Sequence, residues 1–337
     1  MRIGQTGEFS LIEEIRKKME GRYSPRVSLG IGDDCAVLVP EEGKELIVST
    51  DTFVEKIHFD LAWFSFYQIG WRAMAAALSD IAAMGGAPLG ALLGCSVSVE
   101  RDKEEVIDLV RGVRDLGLLY DCPLVGGDLT RSPGELFVNV TVLGEVDRGK
   151  ALCRAGAEEG DEVWVTGFLG ASHAGLKTLL RSSAVSREAV RDRTDRYLQP
   201  TPRIREACFL ANLVSINSMI DLSDGLSSDL GHICSCSGLG ALIFSSSLPI
   251  SPETKEVARS LREDSLDYAL NGGEDFELCF TAGEGRIDPW VDRFREAFGL
   301  SLTRVGRMVR DEGLILIDSQ GRKKDIQPRG FDHFLPV

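Results

Sequence analysis

The chain has 337 residues, 43% hydrophobic and 27% charged, with 52 Asp and Glu against 38 Lys and Arg and a net charge of −14. These numbers describe a globular protein with room for two domains, or one large one. So large an acidic excess repels phosphate backbones and argues against general nucleic-acid binding; it is either a solubilising surface or, in part, a set of cation ligands.

The first ten residues are polar and carry no signal-peptide core, so no export signal is expected. A helix is predicted over 11–19, with Leu11, Ile12 and Ile15 near one face. Gly30-Ile31-Gly32-Asp33-Asp34 opens a strand over 35–39, and a second strand, 45–50, ends at Asp51. Residues 73–99 hold a single charge, Asp80, but Gly85, Gly86, Pro88 and Gly90 interrupt them. They are read as a helix over 67–84 followed by a strand over 89–99, rather than as a membrane span. An amphipathic helix over 104–119 precedes a short strand 123–125, a turn at Gly126-Gly127-Asp128 and a long strand 135–146.

The character changes near residue 150, so domains are expected over 1–150 and 151–337. The second half alternates strands near 162–166, 218–221, 240–244, 276–281 and 302–318 with helices near 172–180, 182–196, 203–214, 225–236, 253–262 and 288–298. That makes the first half strand-rich α+β and the second α/β. The eight cysteines contain no C-x-x-C pair, and Cys234 and Cys236 point to different faces of a helix. A reducing cytoplasm fits them best.

The informative residues are aspartates in apolar or glycine-rich surroundings. Asp80 lies in a run of Ala, Leu, Ile and Met, with Ala76, Ala77, Ala83 and Met84 at the i±3 and i±4 positions. A distant arginine or a metal ion must offset the cost of burying its charge. Asp34, Asp51 (beside the hydroxyls of Ser49 and Thr50), Asp128, Asp221 and Asp224 each sit at an expected strand end or tight turn. Oxygen-only ligands of this kind suit Mg²⁺, although a turn or capping role explains any one of them, Asp33 and Asp224 above all.

No phosphate loop is present. In the nearest sequence, Gly170 to Thr178, one extra residue before Lys177 turns the lysine about 100° from the cradle. The strand, glycine and helix around Gly167 either offer amides to a phosphate or form an ordinary joint. His58 is a ligand contact or structural. Arg154 is a phosphate partner or a surface arginine. Glu274 in a glycine turn binds a cationic group or is solvated. Phe331 stacks on a ring or anchors the tail.

In order along the chain, GEFSLI (7–12), GIGDDCAVL (30–38), STDTFVEKIHF (49–59), LSDIAAMGGAP (78–88), GGDLTR (126–131), RAGAEEGD (154–161), VTGFLGASHAGL (165–176), QPTPR (199–203), IDLSDGLSSDLGHI (220–233), NGGEDFELCF (271–280) and GFDHF (330–334) resemble the thiamine-monophosphate kinase family. That family belongs to the superfamily of aminoimidazole ribonucleotide synthetase and selenophosphate synthetase. The resemblance implies an N-terminal α+β domain with a mixed sheet, half of a dimeric barrel, that binds ATP and Mg²⁺ and pairs across a homodimer. It also implies an α/β C-terminal domain. By the same likeness Asp34, Ser49, Thr50, Asp51, Asp80, Asp128, Asp221 and Asp224 are metal ligands, with Asp51, Asp80, Asp128 and Asp221 at the chemistry. Gly127, Asp128, Arg154 and Ser223 contact ATP. His58, Glu274 and Phe331 contact thiamine monophosphate, Phe331 replacing an aromatic that is often Tyr or Trp. The implied reaction is direct transfer of the γ-phosphate of ATP to thiamine monophosphate, the last step of thiamine diphosphate biosynthesis. The alternatives are a sister-family enzyme acting on another small phosphate and a catalytically silent nucleotide- or metal-binding protein.

Overall fold

The computed structural model describes residues 2–6, 8–19, 23–31, 35–181, 191–213, 215–327 and 329. The chain divides into two compact units, Met1–Ile81 with Gly86–Ala151, and Ala82–Gly85 with Leu152–Val337. Among the described residues no helix is long and apolar enough to cross a membrane.

The first unit begins with helices α1 (Ile3–Thr6) and α2 (Glu8–Met19) and a small hairpin, β1 (Val27–Leu29) and β2 (Val37–Leu38). It continues through β3 (Lys44–Val54), α3 (Phe66–Ala83), β4 (Ala87–Val97), α4 (Lys103–Leu119), β5 (Leu124–Arg131) and β6 (Phe137–Asp147). The sheet order is β3-β6-β4-β5, antiparallel except for the β4–β5 pair. Val138, Val140 and Val142 on β6 and Ala73–Ala75, Ala77 and Leu78 on α3 are fully enclosed, as the small apolar run around Asp80 requires. The opposite face of the sheet is open within the chain. Leu46 is 52%, Val48 62%, Leu92 36% and Phe137 40% exposed.

Two strands outrun their sequence signals. β3 continues past Thr50 to Val54 because Thr52, Phe53 and Val54 are good strand formers and β6 pairs with them as far as Phe137. Asp51 therefore lies inside a strand, not at its end. β5 runs through Gly126-Gly127-Asp128, which are paired with Leu92, Leu93 and Gly94 rather than forming a turn.

The second unit comprises β7 (Glu162–Thr166), α5 (Ala171–Arg181), α6 (Arg191–Leu198), α7 (Ile204–Leu213), β8 (Ser218–Asp221), α8 (Leu226–Ser237), β9 (Gly240–Phe244), α9 (Pro252–Leu261), α10 (Ser265–Asn271), β10 (Leu278–Ala282), α11 (Val291–Phe298), β11 (Leu302–Val309), β12 (Gly313–Ile317) and β13 (Lys323–Ile326). Strands and helices alternate as expected, but in the sheet order β13-β12-β9-β11-β7-β10-β8 only β12 and β9 are parallel. α8 packs over this sheet with Leu226, Leu230 and Ile233 in the core, next to Ile220, Cys279 and Leu314. Its two ends therefore have fixed places, and the N-terminal end adjoins the loop after β8.

Candidate active site

In the first unit, strand alternation separates the expected ligands. Ser49, Asp51 and Phe53 share the face toward α3, where the Ser49 hydroxyl donates a hydrogen bond to the Asp80 carboxylate. Asp80 is half-buried although its helix is enclosed. Thr50 turns its hydroxyl to the open face, 2.9 Å from the Thr141 hydroxyl and 3.2 Å from Asn139 Oδ1. His58 follows β3. Its Nδ1 accepts the Val54 amide at 3.0 Å, which assigns the ring proton to Nε2.

On β5 a register shift leaves Val125 bulged, and Gly127 then passes so close to β4 that a Cβ would lie 2.0 Å from the Leu93 carbonyl oxygen. Only glycine fits there. Asp128, exposed, stands in the row of Gly94, Asn139 and Thr52. β3 and β5 are the outer strands, so Asp51 and Asp128 are separated by three strand spacings, about 14 Å. The chain thus brings Ser49, Asp51 and Asp80 to one face but leaves Asp128 at the opposite edge. Asp34 lies outside the described residues. Among the described residues no group of three or more His, Cys, Asp and Glu is placed to hold a metal ion.

In the second unit, two loops are zipped together by their main chains. The Glu274 amide donates to the Ser223 carbonyl at 2.7 Å, and the Phe276 amide to the Leu222 carbonyl at 2.9 Å. A Cβ on Gly273 would fall 2.6 Å from the Ser223 oxygen, so this approach needs glycine. Asp221, at the end of β8, is buried, whereas Ser223, Asp224 and Glu274 are half-buried. Arg154 is exposed, on a segment anchored to β8 by the Met219 amide donating to the Cys153 carbonyl at 2.9 Å. Phe331 lies outside the described residues.

Of the buried acids to which the sequence reading gives no role, three bear on these loops. Asp229, on α8, accepts the amides of Asp224 at 3.1 Å and Gly225 at 3.0 Å. Burial, with Asp221 and Asp224 nearby, pushes its carboxyl well above the usual range. Asp275 accepts the Gly170 and Ser172 amides at 2.6 and 2.9 Å, and burial pushes its carboxyl up to about 7. The Gly167–Ser172 joint, one of whose readings was a phosphate cradle, therefore directs these two amides to a carboxylate of its own. Lys177 pairs with Glu263 at 3.2 Å. Burial raises the Glu277 carboxyl, but Arg203 beside it outweighs that effect and holds it below its usual range. The test that exposed Asp80 also fits Asp229, whose neighbours Leu226, Leu230 and Ile233 are apolar.

These elements belong to a known pattern. Residues 32–146 match the family "AIR synthase related protein, N-terminal domain" and residues 158–319 its C-terminal domain. The chain is 39% identical over 333 residues to the thiamine-monophosphate kinase of Escherichia coli strain K12, covering 97% of this chain and 98% of that one. Among solved structures it is similar to the thiamine-monophosphate kinase of Stenotrophomonas maltophilia K279a, with 36% identity, a TM-score of 0.82, and coverage of 94% of this chain and 98% of that one. It is similar also to AaThiL complexed with AMPPCP and TMP, with 33% identity, a TM-score of 0.77 and coverage of 99% of both chains. With that likeness running through both units, the chain belongs to the thiamine-monophosphate kinase family, a branch of the AIR synthase related proteins.

Proposed function

We propose that this protein transfers the γ-phosphoryl group of ATP directly to thiamine monophosphate, giving thiamine diphosphate and ADP. The observation that carries this reading is the full-length likeness to thiamine-monophosphate kinases, including one solved with AMPPCP and TMP. A phosphate oxygen of thiamine monophosphate forms the new bond to the γ-phosphorus while the bond to the β-phosphate oxygen breaks, so no side chain need be phosphorylated.

The donor set fits Mg²⁺. Ser49, Asp51 and Asp80 offer only hard oxygens on one face, and Mg²⁺ commonly uses one or two carboxylates together with water and phosphate oxygens. Asp34, Asp128, Asp221 and Asp224 are the further proposed ligands, with Thr50 serving through its main-chain oxygen because its hydroxyl faces away. Bound Mg²⁺ neutralises phosphate charge. Gly127, Arg154 and Ser223 hold the nucleotide. The Nε2–H of His58 donates to the substrate phosphate, the Glu274 carboxylate receives the cationic, hydrogen-bond-donating thiamine rings, and Phe331 stacks on them.

The first unit is the proposed ATP, metal and dimerisation domain. Its open sheet face, with Leu46, Val48, Leu92 and Phe137, is an apolar surface of the kind a second copy covers. Two four-stranded sheets closing into a barrel about a two-fold axis would set β5 of the partner beside β3. The absence of disulfides among the eight cysteines supports a reducing, cytoplasmic setting.

The test is ADP release from ATP with Mg²⁺ and thiamine monophosphate, with and without EDTA. Metal-dependent release that requires thiamine monophosphate and yields thiamine diphosphate is expected. Binding of ATP and Mg²⁺ without turnover would refute this substrate.

A further inference from the structure

Glu274 and Phe276 both adopt positive φ, +66° and +49°, although neither is glycine, and Phe276 is buried. Side chains carrying a Cβ avoid this region, and such conformations persist only where the surroundings over-determine them. Between the two residues stands Asp275, whose carboxylate points away from the Ser223 loop into the first turn of α5. One oxygen takes the Gly170 amide and the other the Ser172 amide. The strip 274–276 is thus pinned on one side by main-chain bonds to Leu222 and Ser223 and on the other by a single side chain.

We propose that Asp275 is a positioning residue for the phosphoryl acceptor: its clamp on α5 holds Glu274 in the left-handed conformation that presents the Glu274 carboxylate to the thiamine moiety. The inference rests on the reading of Glu274 as a substrate contact. The amides of Glu274 and Phe276 and the buried Phe276 ring fix the path of the strip, and the Asp275 carboxylate ties it to the Gly170 and Ser172 amides. When the clamp is lost, the strip relaxes toward ordinary backbone angles and the Glu274 carboxylate swings away. The nucleotide side, held through Arg154 and Ser223, keeps its place.

Asp275→Asn tests this. An amide nitrogen has no lone pair for the amide that faces it, so one of the two clamping bonds is lost while size is kept. Assayed at about pH 8.5, above the value near 7 to which burial raises the Asp275 carboxyl, the expected result is a rise in KM for thiamine monophosphate of about tenfold or more, the loss of one charge-assisted hydrogen bond. KM for ATP should stay within about twofold and kcat should change far less than KM. In a Glu274→Ala background the same substitution should add almost nothing, because Asp275 acts through Glu274. Equal, multiplicative effects in both backgrounds, or a matching rise in KM for ATP, would overturn the proposal. If Glu274→Ala alone leaves KM for thiamine monophosphate unchanged, the assignment of Glu274 fails instead, which is a separate result. Asp275→Ser serves as a second variant should Asp275→Asn fold poorly. Its single oxygen, on a shorter side chain, cannot take both the Gly170 and the Ser172 amides, which the two carboxylate oxygens accept separately. It should raise KM for thiamine monophosphate with the same dependence on Glu274, and an unchanged KM would count against the clamp.

Discussion

Replacing Arg203 by methionine should strongly destabilise the second unit. Glu277 is 1% exposed and Arg203 4%, so neither charge is relieved by water. Arg203 Nε donates to Glu277 Oε2 at 2.7 Å, and a second guanidinium nitrogen donates to Oε1. Thr166 adds its hydroxyl at 2.7 Å, and Arg196 approaches only to 3.5 Å from its more exposed position. Arg203→Met therefore leaves a buried carboxylate with one hydroxyl and a distant cation, a loss that costs about 3–5 kcal/mol in comparable buried pairs. Glu206, 3.5 Å from Arg203, loses a cation as well. For a unit of this size each kcal/mol moves the midpoint about 2–4 °C, so a fall of about 6–20 °C is expected in thermal unfolding, with a matching shift in urea titration. Because Arg203 holds the Glu277 carboxyl below its usual range, the contribution of the pair is present at neutral pH. It fades on acidification through the lowered value. The double variant Arg203→Met with Glu277→Leu should recover most of the loss, since an apolar pair needs no charge compensation. A loss below about 1 kcal/mol in the single variant would refute the reasoning, because it would mean that Glu277 reaches water or carries no charge.

Gly127→Ala should cost about 1–3 kcal/mol and raise KM for ATP, since its Cβ, 2.0 Å from the Leu93 carbonyl oxygen, must displace β5 and Asp128 with it; unchanged urea midpoint and KM would contradict this. Asp275, its carboxyl raised to about 7 by burial, contributes stability that is fully present below the unfolded carboxylate range and is lost as pH rises through about 7. The melting temperature of the parent should therefore fall relative to that of Asp275→Asn between about pH 4 and pH 7, and parallel curves would refute the assignment. For the proposed pairing through the open sheet face, Val48→Lys, at a 62% exposed position there, should leave the fold intact and shift sedimentation toward monomer; sedimentation identical to that of the parent would exclude that face.

What was legible in the sequence was mostly local. The apolar, small-residue run around Asp80 carried its own evidence of burial, and the structure encloses that helix. The alternation of strands and helices after residue 150 and the interruption at Gly85-Gly86 are likewise chain-local signals, and α3 and β4 separate there. Asp51 and Asp128 were misplaced by the same reasoning. Thr50 and the two glycines look like strand ends when read alone, and it is partner strands that carry β3 and β5 through them. Asp229 stands among apolar Leu226, Leu230 and Ile233 with its partners only four and five residues away, and Glu277 adjoins apolar Phe276 and Leu278, but the partners of Asp275 and Glu277 carry no local signal. Gly170 lies 105 residues from Asp275, and Arg203 lies 74 from Glu277.

The residue types and their order sufficed for the family and the two-part chain, because composition and periodicity are properties of neighbours. Which acids meet which partners was decided by the tertiary structure alone. Strand register puts Ser49 and Asp51 on the Asp80 side and Thr50 on the other, and a one-residue difference along a strand reverses the face. The left-handed strip at Glu274 exists only because distant groups, the Leu222 and Ser223 carbonyls and the α5 amides, hold it against its own backbone preference.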